Sequence, residues 1–239
     1  MRFCWQTKSQ DEPRFASMKI LTVRTVPVVK WSSTHPLNFA PRTPTLFYLV
    51  LGLALFGLGE ALLIAAAIGV SPWIVLAQGL VNQSDISIGW ATFSVSGVVL
   101  LLWLPLKQQP GPGTLLNALI IPVMIELCMP LLPKPDALVL QLMEAVMGVL
   151  CVGVGSGLYL TARLGPGPRD GLMTGLQQLT GYPVSLVRLF LEVSVVSIGW
   201  LLGGTAGIGT LLFAFGIGPS VSASLYAVSV IFSKPTQDQ

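Results

Sequence analysis

Only 10% of the 239 residues are charged and 53% are hydrophobic. A charge inside an apolar run is therefore the first feature that could do chemistry. Four carboxylates fall in such runs: Glu60 in "GLGEALL", Glu126, Glu144 and Glu192. A charge at the centre of a bilayer costs about 2.5–3.5 kcal/mol on insertion scales, so such residues pair with a base, face water, or carry a proton or cation. Arg188 precedes Glu192 by four residues, one helical turn, which predicts an intrahelical ion pair. Glu60 has no base near it in sequence. It reads either as a proton- or cation-linked carboxylate or as one neutralised from another helix, by Arg188 or Arg163. Glu144 reads as lying near the lipid headgroups and Glu126 as more central. Two further charges, Arg169 and Asp170, stand side by side in "GPGPRDGL". Topology and helix capping account for both, since a carboxylate suits the positive end of a helix. The candidate polar or substrate site is thus Glu60, Arg169, Asp170, Arg188 and Glu192.

Other chemistries have no foothold. The three cysteines (Cys4, Cys128 and Cys151) form no spaced motif, and the single His35 lies in a polar leader without clustered partners. There is no nucleophile–base pair and no Walker A motif, and the glycine spacings lack the strand and acidic partner of a dinucleotide fingerprint. The expectation is a protein that is not an enzyme, without metal or cofactor, and without a nucleic-acid partner.

The elements that must position these charges are membrane helices. A soluble domain carries about 25% charged residues, and this chain falls far short of that. Apolar runs of spanning length, roughly 20 residues each, occur at 46–68, 86–106, 114–133, 137–162, 184–202 and 209–232. Gly/Pro clusters punctuate them: "GVSP", "PGPG", "PKPD", "GPGP" and "GGTAGIG". The fold class is all-α, a polytopic bundle of about six transmembrane helices. Residues 1–45 read as a basic, disordered cytoplasmic leader holding seven of the thirteen Lys/Arg, and 233–239 as a cytoplasmic tail. The leader has no apolar core followed by a cleavage site, so it does not read as a signal peptide. With six crossings and the N-terminus inside, twelve Lys/Arg fall inside and one outside, a clear positive-inside bias that also puts the C-terminus inside.

Shifted by 96 residues, the chain matches itself. "GLGEALLIAAAIGVSPWIVLAQGL" (57–80) falls on "GVGSGLYLTARLGPGPRDGLMTGL" (153–176), and "GPGTLLNALI" (111–120) on "GIGTLLFAFG" (207–216). The matched turn and helix-start positions are Gly69, Pro72, Gly111, Gly113, Thr114, Gly165, Gly167, Pro168, Gly207, Gly209 and Thr210. Repeats at 46–133 and 137–232 with three crossings each must be inverted, a plan common among transporters. Each contains a helix too short to span, after "GVSP" or "GPGP". That helix either lies flat at the interface or re-enters the protein. The glycines of 57–59 and 153–157 read as close-packing faces. Thr114 and Thr210 read as capping residues, with a small anion site between two such helix starts as the other reading.

"ARLGPGPRDGLMTGL", "VRLFLEVSVVSIGWLLGGTAGIGTLLFA", "GVSPW…QGL" and "LLLWLPLKQQPGPGTLLNAL" together resemble the bacterial YczE/YyaS/YitT membrane-protein family, nearest its YczE-like branch, over about 46–232. The resemblance implies a multi-pass protein of the bacterial inner (plasma) membrane. It marks Gly165, Pro166, Gly167, Pro168, Arg169, Asp170, Arg188, Glu192, Gly207, Gly209 and Thr210 as family positions. The first half departs from the pattern, with Ile74 where the family tends to have Asp. Two functions fit: a small secondary transporter or permease with a polar site near the repeat interface, or a non-transporting membrane scaffold that assists a partner. The partners implied are the lipid bilayer, a small solute or ion, and a second copy of the chain.

Overall fold

A computed structural model describes residues 26–232, in which the regular elements are all helical. They are α1 (Thr43–Ala65), α2 (Pro72–Asn82), α3 (Ile88–Leu102), α4 (Pro112–Cys128), a 3-10 turn (Met129–Leu131), α5 (Leu138–Ala162), α6 (Pro168–Thr180), α7 (Val184–Leu201) and α8 (Ile208–Phe232). Proline opens α1, α2, α4 and α6 in the first turn. There its missing amide costs nothing and its fixed φ suits the helix. The chain is a multi-pass membrane protein. Five of the helices are long and apolar enough to cross a bilayer, and α3 is an apolar helix of 15 residues. At 1.5 Å per residue α3 is about 22 Å long, short of the ~30 Å hydrocarbon core. The run at 86–106 predicts a longer span. It stops early because Pro105 cannot continue a helix, and turns follow through Lys107, which is left-handed at φ 52.

The bundle is centred on α1 and α5, which cross antiparallel on glycine. A Cβ at Gly52 would sit 2.8 Å from the Gly155 carbonyl, and one at Gly59 would sit 2.6 Å from the Gly148 carbonyl. Helix α4 packs on α1 where Gly57 meets Ile121 and Met124, and α8 packs on α5 where Gly153 and Gly157 meet Ser220 and Ser224. Missing side chains let the backbones approach, which is how membrane helices gain contact where apolar burial offers no net drive.

The turns before α2 and α6 are locked onto the starts of α8 and α4. Gly209 N donates to Ile68 O at 2.9 Å, and Gly113 N donates to Leu164 O at 2.8 Å. Ala67 and Arg163 are left-handed, at φ 57 and 54, and Gly69 and Gly165 follow at φ 117 and 111. Gly69 needs its freedom twice over, since a Cβ there would also strike the Gly207 amide at 2.7 Å. Thr114 Oγ1 and Thr210 Oγ1 each accept from the amide three residues earlier, Gly111 N and Gly207 N, at 3.2 Å. Thr114 also donates to Pro166 O at 2.7 Å, across to the turn before α6. Thr114→Val is therefore expected to cost about 1–2 kcal/mol of unfolding free energy in detergent, and more than Thr210→Val. Equal losses would mean that the bond to Pro166 contributes nothing.

Both short helices begin buried and end exposed, with Ser71, Pro72 and Pro168 covered and Gln83 and Thr180 open. Neither lies along the surface; each is rooted in the bundle by its N-terminus. The C-terminal end of α2 is held by Asn82, which donates to Gly203 O at 2.6 Å, beyond α7.

The leader corrects an expectation. Residues 1–25 and 233–239 lie outside the described residues, but from residue 26 the chain packs on the bundle. Ser32 Oγ donates to Thr161 O at 2.7 Å and Ser33 N to Ala162 O at 3.0 Å. Trp31 is buried, stacked on Tyr48 with ring centroids 4.6 Å apart and edge-on to Phe232. Trp31, Ser32 and Ser33 are an apolar ring and two local donors within a basic tract, and they cover the open carbonyls at the C-terminus of α5.

Candidate functional site

Glu60 is on α1, five residues from its C-terminus, and 0% of it is exposed. Helix α2 turns back so that Ser71, its N-cap, meets this carboxylate. Ser71 Oγ lies 2.9 Å from Oε1 and 2.7 Å from Oε2. The base that answers Glu60 is Arg169, with Nη1 at 3.6 Å from Oε1. The sequence reading looked to Arg188 or Arg163. Arg169 is next to Pro168 in the first turn of α6, and because that turn is buried, its side chain (21% exposed) runs into the bundle. Its guanidinium also lies 5.5 Å from the centre of the Trp73 ring, in the first turn of α2. The two short helices thus meet at their N-termini over Glu60.

The rest of α6 is fixed by its neighbours. Trp103 Nε1 donates to Pro168 O at 3.0 Å, and the indole fills the space where a Cβ of residue 171 would be, so only Gly171 fits. Asp170 points to α5, where Tyr159 donates its hydroxyl to Oδ2 at 2.6 Å. On α7, Arg188 Nε donates to Glu192 Oε1 at 2.8 Å, one turn apart.

These groups surround a cavity of about 390 Å³. Arg169, Asp170, Arg188 and Glu192 line it, while Glu60 is sealed behind and joined to it through Arg169. Arg169, legible as positive-inside charge, turns inward here, while Asp170, legible as helix capping, lines the cavity and stays exposed. Sequence reasoning missed Trp73, Tyr159, Asn117 and Ser156, which also line the cavity, and Ser71 behind it. Ser71 and Trp73 carried a signal, since they flank the matched Pro72, and Trp73 stands 96 residues before Arg169. Ile74, where the resemblance leads to an expectation of Asp, is fully buried in apolar surroundings.

The remaining positions lie in turns and helix starts or away from the cavity. Glu126 Oε2 accepts from Gly89 N at 3.0 Å, where a carboxylate complements the start of α3. Glu144 is away from the cavity, and its oxygens are covered without a hydrogen-bond partner among the described residues. Gly69, Gly111, Gly113, Thr114, Gly165, Gly207, Gly209 and Thr210 make the locked turns, while Pro72 and Pro168 start the short helices. Gly167 is both the N-cap of α6 and part of the cavity wall.

Similarity to known proteins extends over this whole unit. An uncharacterized protein of Haemophilus influenzae is 39% identical over 207 residues, covering 87% of this chain and 94% of the relative. The uncharacterized membrane protein YczE of Bacillus subtilis is 32% identical over 188 residues, covering 74% and 87%. YyaS of the same organism is 24% identical over 169 residues, covering 69% and 84%. No solved structure matches. Residues 43–225, from the first residue of α1 into α8, match the model of a family of unknown function, DUF6198, and the chain belongs to that family.

Proposed function

We propose that this membrane protein is a small secondary transporter or permease whose solute occupies the charged cavity. The observation that carries the reading is the convergence on one 390 Å³ space of charged side chains from α6 and α7, backed by the buried Glu60–Arg169 pair. Interior charges that face a cavity are the usual mark of a solute or ion path. The reading is one of binding and passage, without a covalent step.

The proposal includes two inverted repeats, α1–α4 and α5–α8. Its support is the set of contacts that recur 96 residues apart: Ile68–Gly209 with Leu164–Gly113, and Gly52–Gly155 with Gly59–Gly148. It also includes six crossings of the bacterial inner membrane, with both termini cytoplasmic, supported by the Lys/Arg distribution. On that topology the cavity residues of α6 and the start of α7 belong to the cytoplasmic half.

The test is flux of a broad solute panel, amines, amino acids, carboxylates and sugars, into vesicles containing the purified protein. Uptake of one class is expected, and Glu60→Gln, which removes the charge that Arg169 answers, should reduce it about tenfold or more. No flux of any solute, together with a stoichiometric co-purifying protein, would replace this reading with that of a membrane scaffold.

A further inference from the structure

We propose that the cavity binds a small organic monocation, an amine with an apolar body, and that Asp170 is its counter-ion. The inference deepens the transport reading by naming its substrate class, and it rests on that reading only for what happens after binding.

The charge balance points to it. At formal charge the site holds two guanidiniums, Arg169 and Arg188, against three carboxylates, Glu60, Asp170 and Glu192. Arg169 is committed to Glu60 at 3.6 Å and Arg188 to Glu192 at 2.8 Å. Asp170 has no ion pair within 4.0 Å among the described residues, and the partner of its carboxylate is the neutral hydroxyl of Tyr159. Its chain neighbour Arg169 makes its ion pair with Glu60 and its ring contact with Trp73, and lies beyond ion-pair distance of Asp170 while still attracting it at longer range. At formal charge the carboxylates outnumber the guanidiniums by one, and the carboxylate without an ion pair is the exposed one that lines the cavity.

The walls set the kind of cation. At about 390 Å³ the space suits a small organic molecule, and a bare inorganic ion would leave most of it unfilled. Phe56, Trp73, Tyr159 and Phe213 line it, and aromatic faces attract cations. The Trp73 face already holds a guanidinium. The cavity also offers neutral polar groups. Asn117 and Ser156 line it at 8% and 5% exposure, and their side-chain polar atoms open onto the cavity, where they can meet water or the polar atoms of an occupant.

The experiment uses the full chain in detergent and two sets of matched probes: 2-phenylethylamine, 2-phenylethanol and 3-phenylpropionate, and butylamine, butanol and pentanoate. Binding is read as saturable change in tryptophan fluorescence and as a rise in Tm. At least one amine is expected to bind about tenfold or more tighter than its alcohol and its acid, with that preference lost in Asp170→Asn and kept in Asp170→Glu. An alcohol or acid that binds as tightly as its amine in both sets overturns the inference. So does the absence of binding by either amine, or an amine preference that survives in a folded Asp170→Asn. The probe comparison on the unaltered chain decides the matter even where the variant does not fold. Flux of some other solute without amine binding would sink this inference and leave transport standing. Amine binding without flux of any solute would do the reverse.

Discussion

Replacing Arg169 with alanine is expected to destabilise the protein by about 3–5 kcal/mol, the cost typical of removing one partner of a buried ion pair. Glu60 has no contact with solvent, and the other donor to its carboxylate is the hydroxyl of Ser71. Without Arg169 a full charge is left inside the bundle. The pair itself need not be favourable relative to apolar residues, because each ion was desolvated to make it. The two quantities separate in a double-mutant cycle. In a Glu60→Gln background the guanidinium is itself the unpaired charge, so the packing on Trp73 lost in Arg169→Ala, of order 1 kcal/mol, should be offset by relief of that charge, and the net cost should be small. The measurement is reversible unfolding in mixed micelles, or Tm where unfolding is irreversible. Equal losses in both backgrounds would show that Glu60 and Arg169 are not coupled.

The second large effect is at the α1–α5 crossing. Gly155→Ala would drive a Cβ into the Gly52 carbonyl oxygen and place it 2.6 Å from the Phe56 amide nitrogen. Both are backbone atoms of a packed helix, so neither can swing aside, and the helices must part along their length. Overpacking of this kind costs about 1–3 kcal/mol, and separation would also disturb the cavity, which has walls on both helices at Phe56 and Val152. Gly97→Ala is the control. It is also a helical glycine, in α3, with nothing within 4 Å of the added Cβ. There alanine should be neutral or stabilising by up to about 1 kcal/mol, because it restricts the unfolded chain. If the two variants melt alike, α1 and α5 do not cross at this distance.

Much of the fold was legible because its punctuation is chemical. Proline and glycine clusters fall where helices start and stop, and the 96-residue offset pairs Gly69 with Gly165 and Thr114 with Thr210, the residues that meet at the two locked turns. The end of α3 was not, since the apolar run goes on past Pro105 while the backbone cannot. The Arg188–Glu192 pair follows from helix geometry alone. The partner of Glu60 does not. Arg169 is 109 positions away along the chain, and its direction depends on α6 being rooted inward, which only the lock on Leu164 and the hold of Trp103 decide. Tyr159, Asn117 and Ser156 were hidden for a related reason. Each is an ordinary residue of a spanning helix, and what distinguishes it is the empty space in front of it.

The seat of the N-terminal segment carries a consequence for biosynthesis. Ser32 is bound to a carbonyl 129 residues further along the chain, and Trp31 is clasped by Phe232, the last described residue. A ribosome makes Trp31 and Ser32 long before Thr161 and Phe232 exist, although Tyr48, on which Trp31 stacks, follows soon after in α1. The stretch can therefore meet α1 early, but its contacts to α5 and α8 form only once those helices are in place. An early segment of the chain is thus sealed in full only by helices made much later.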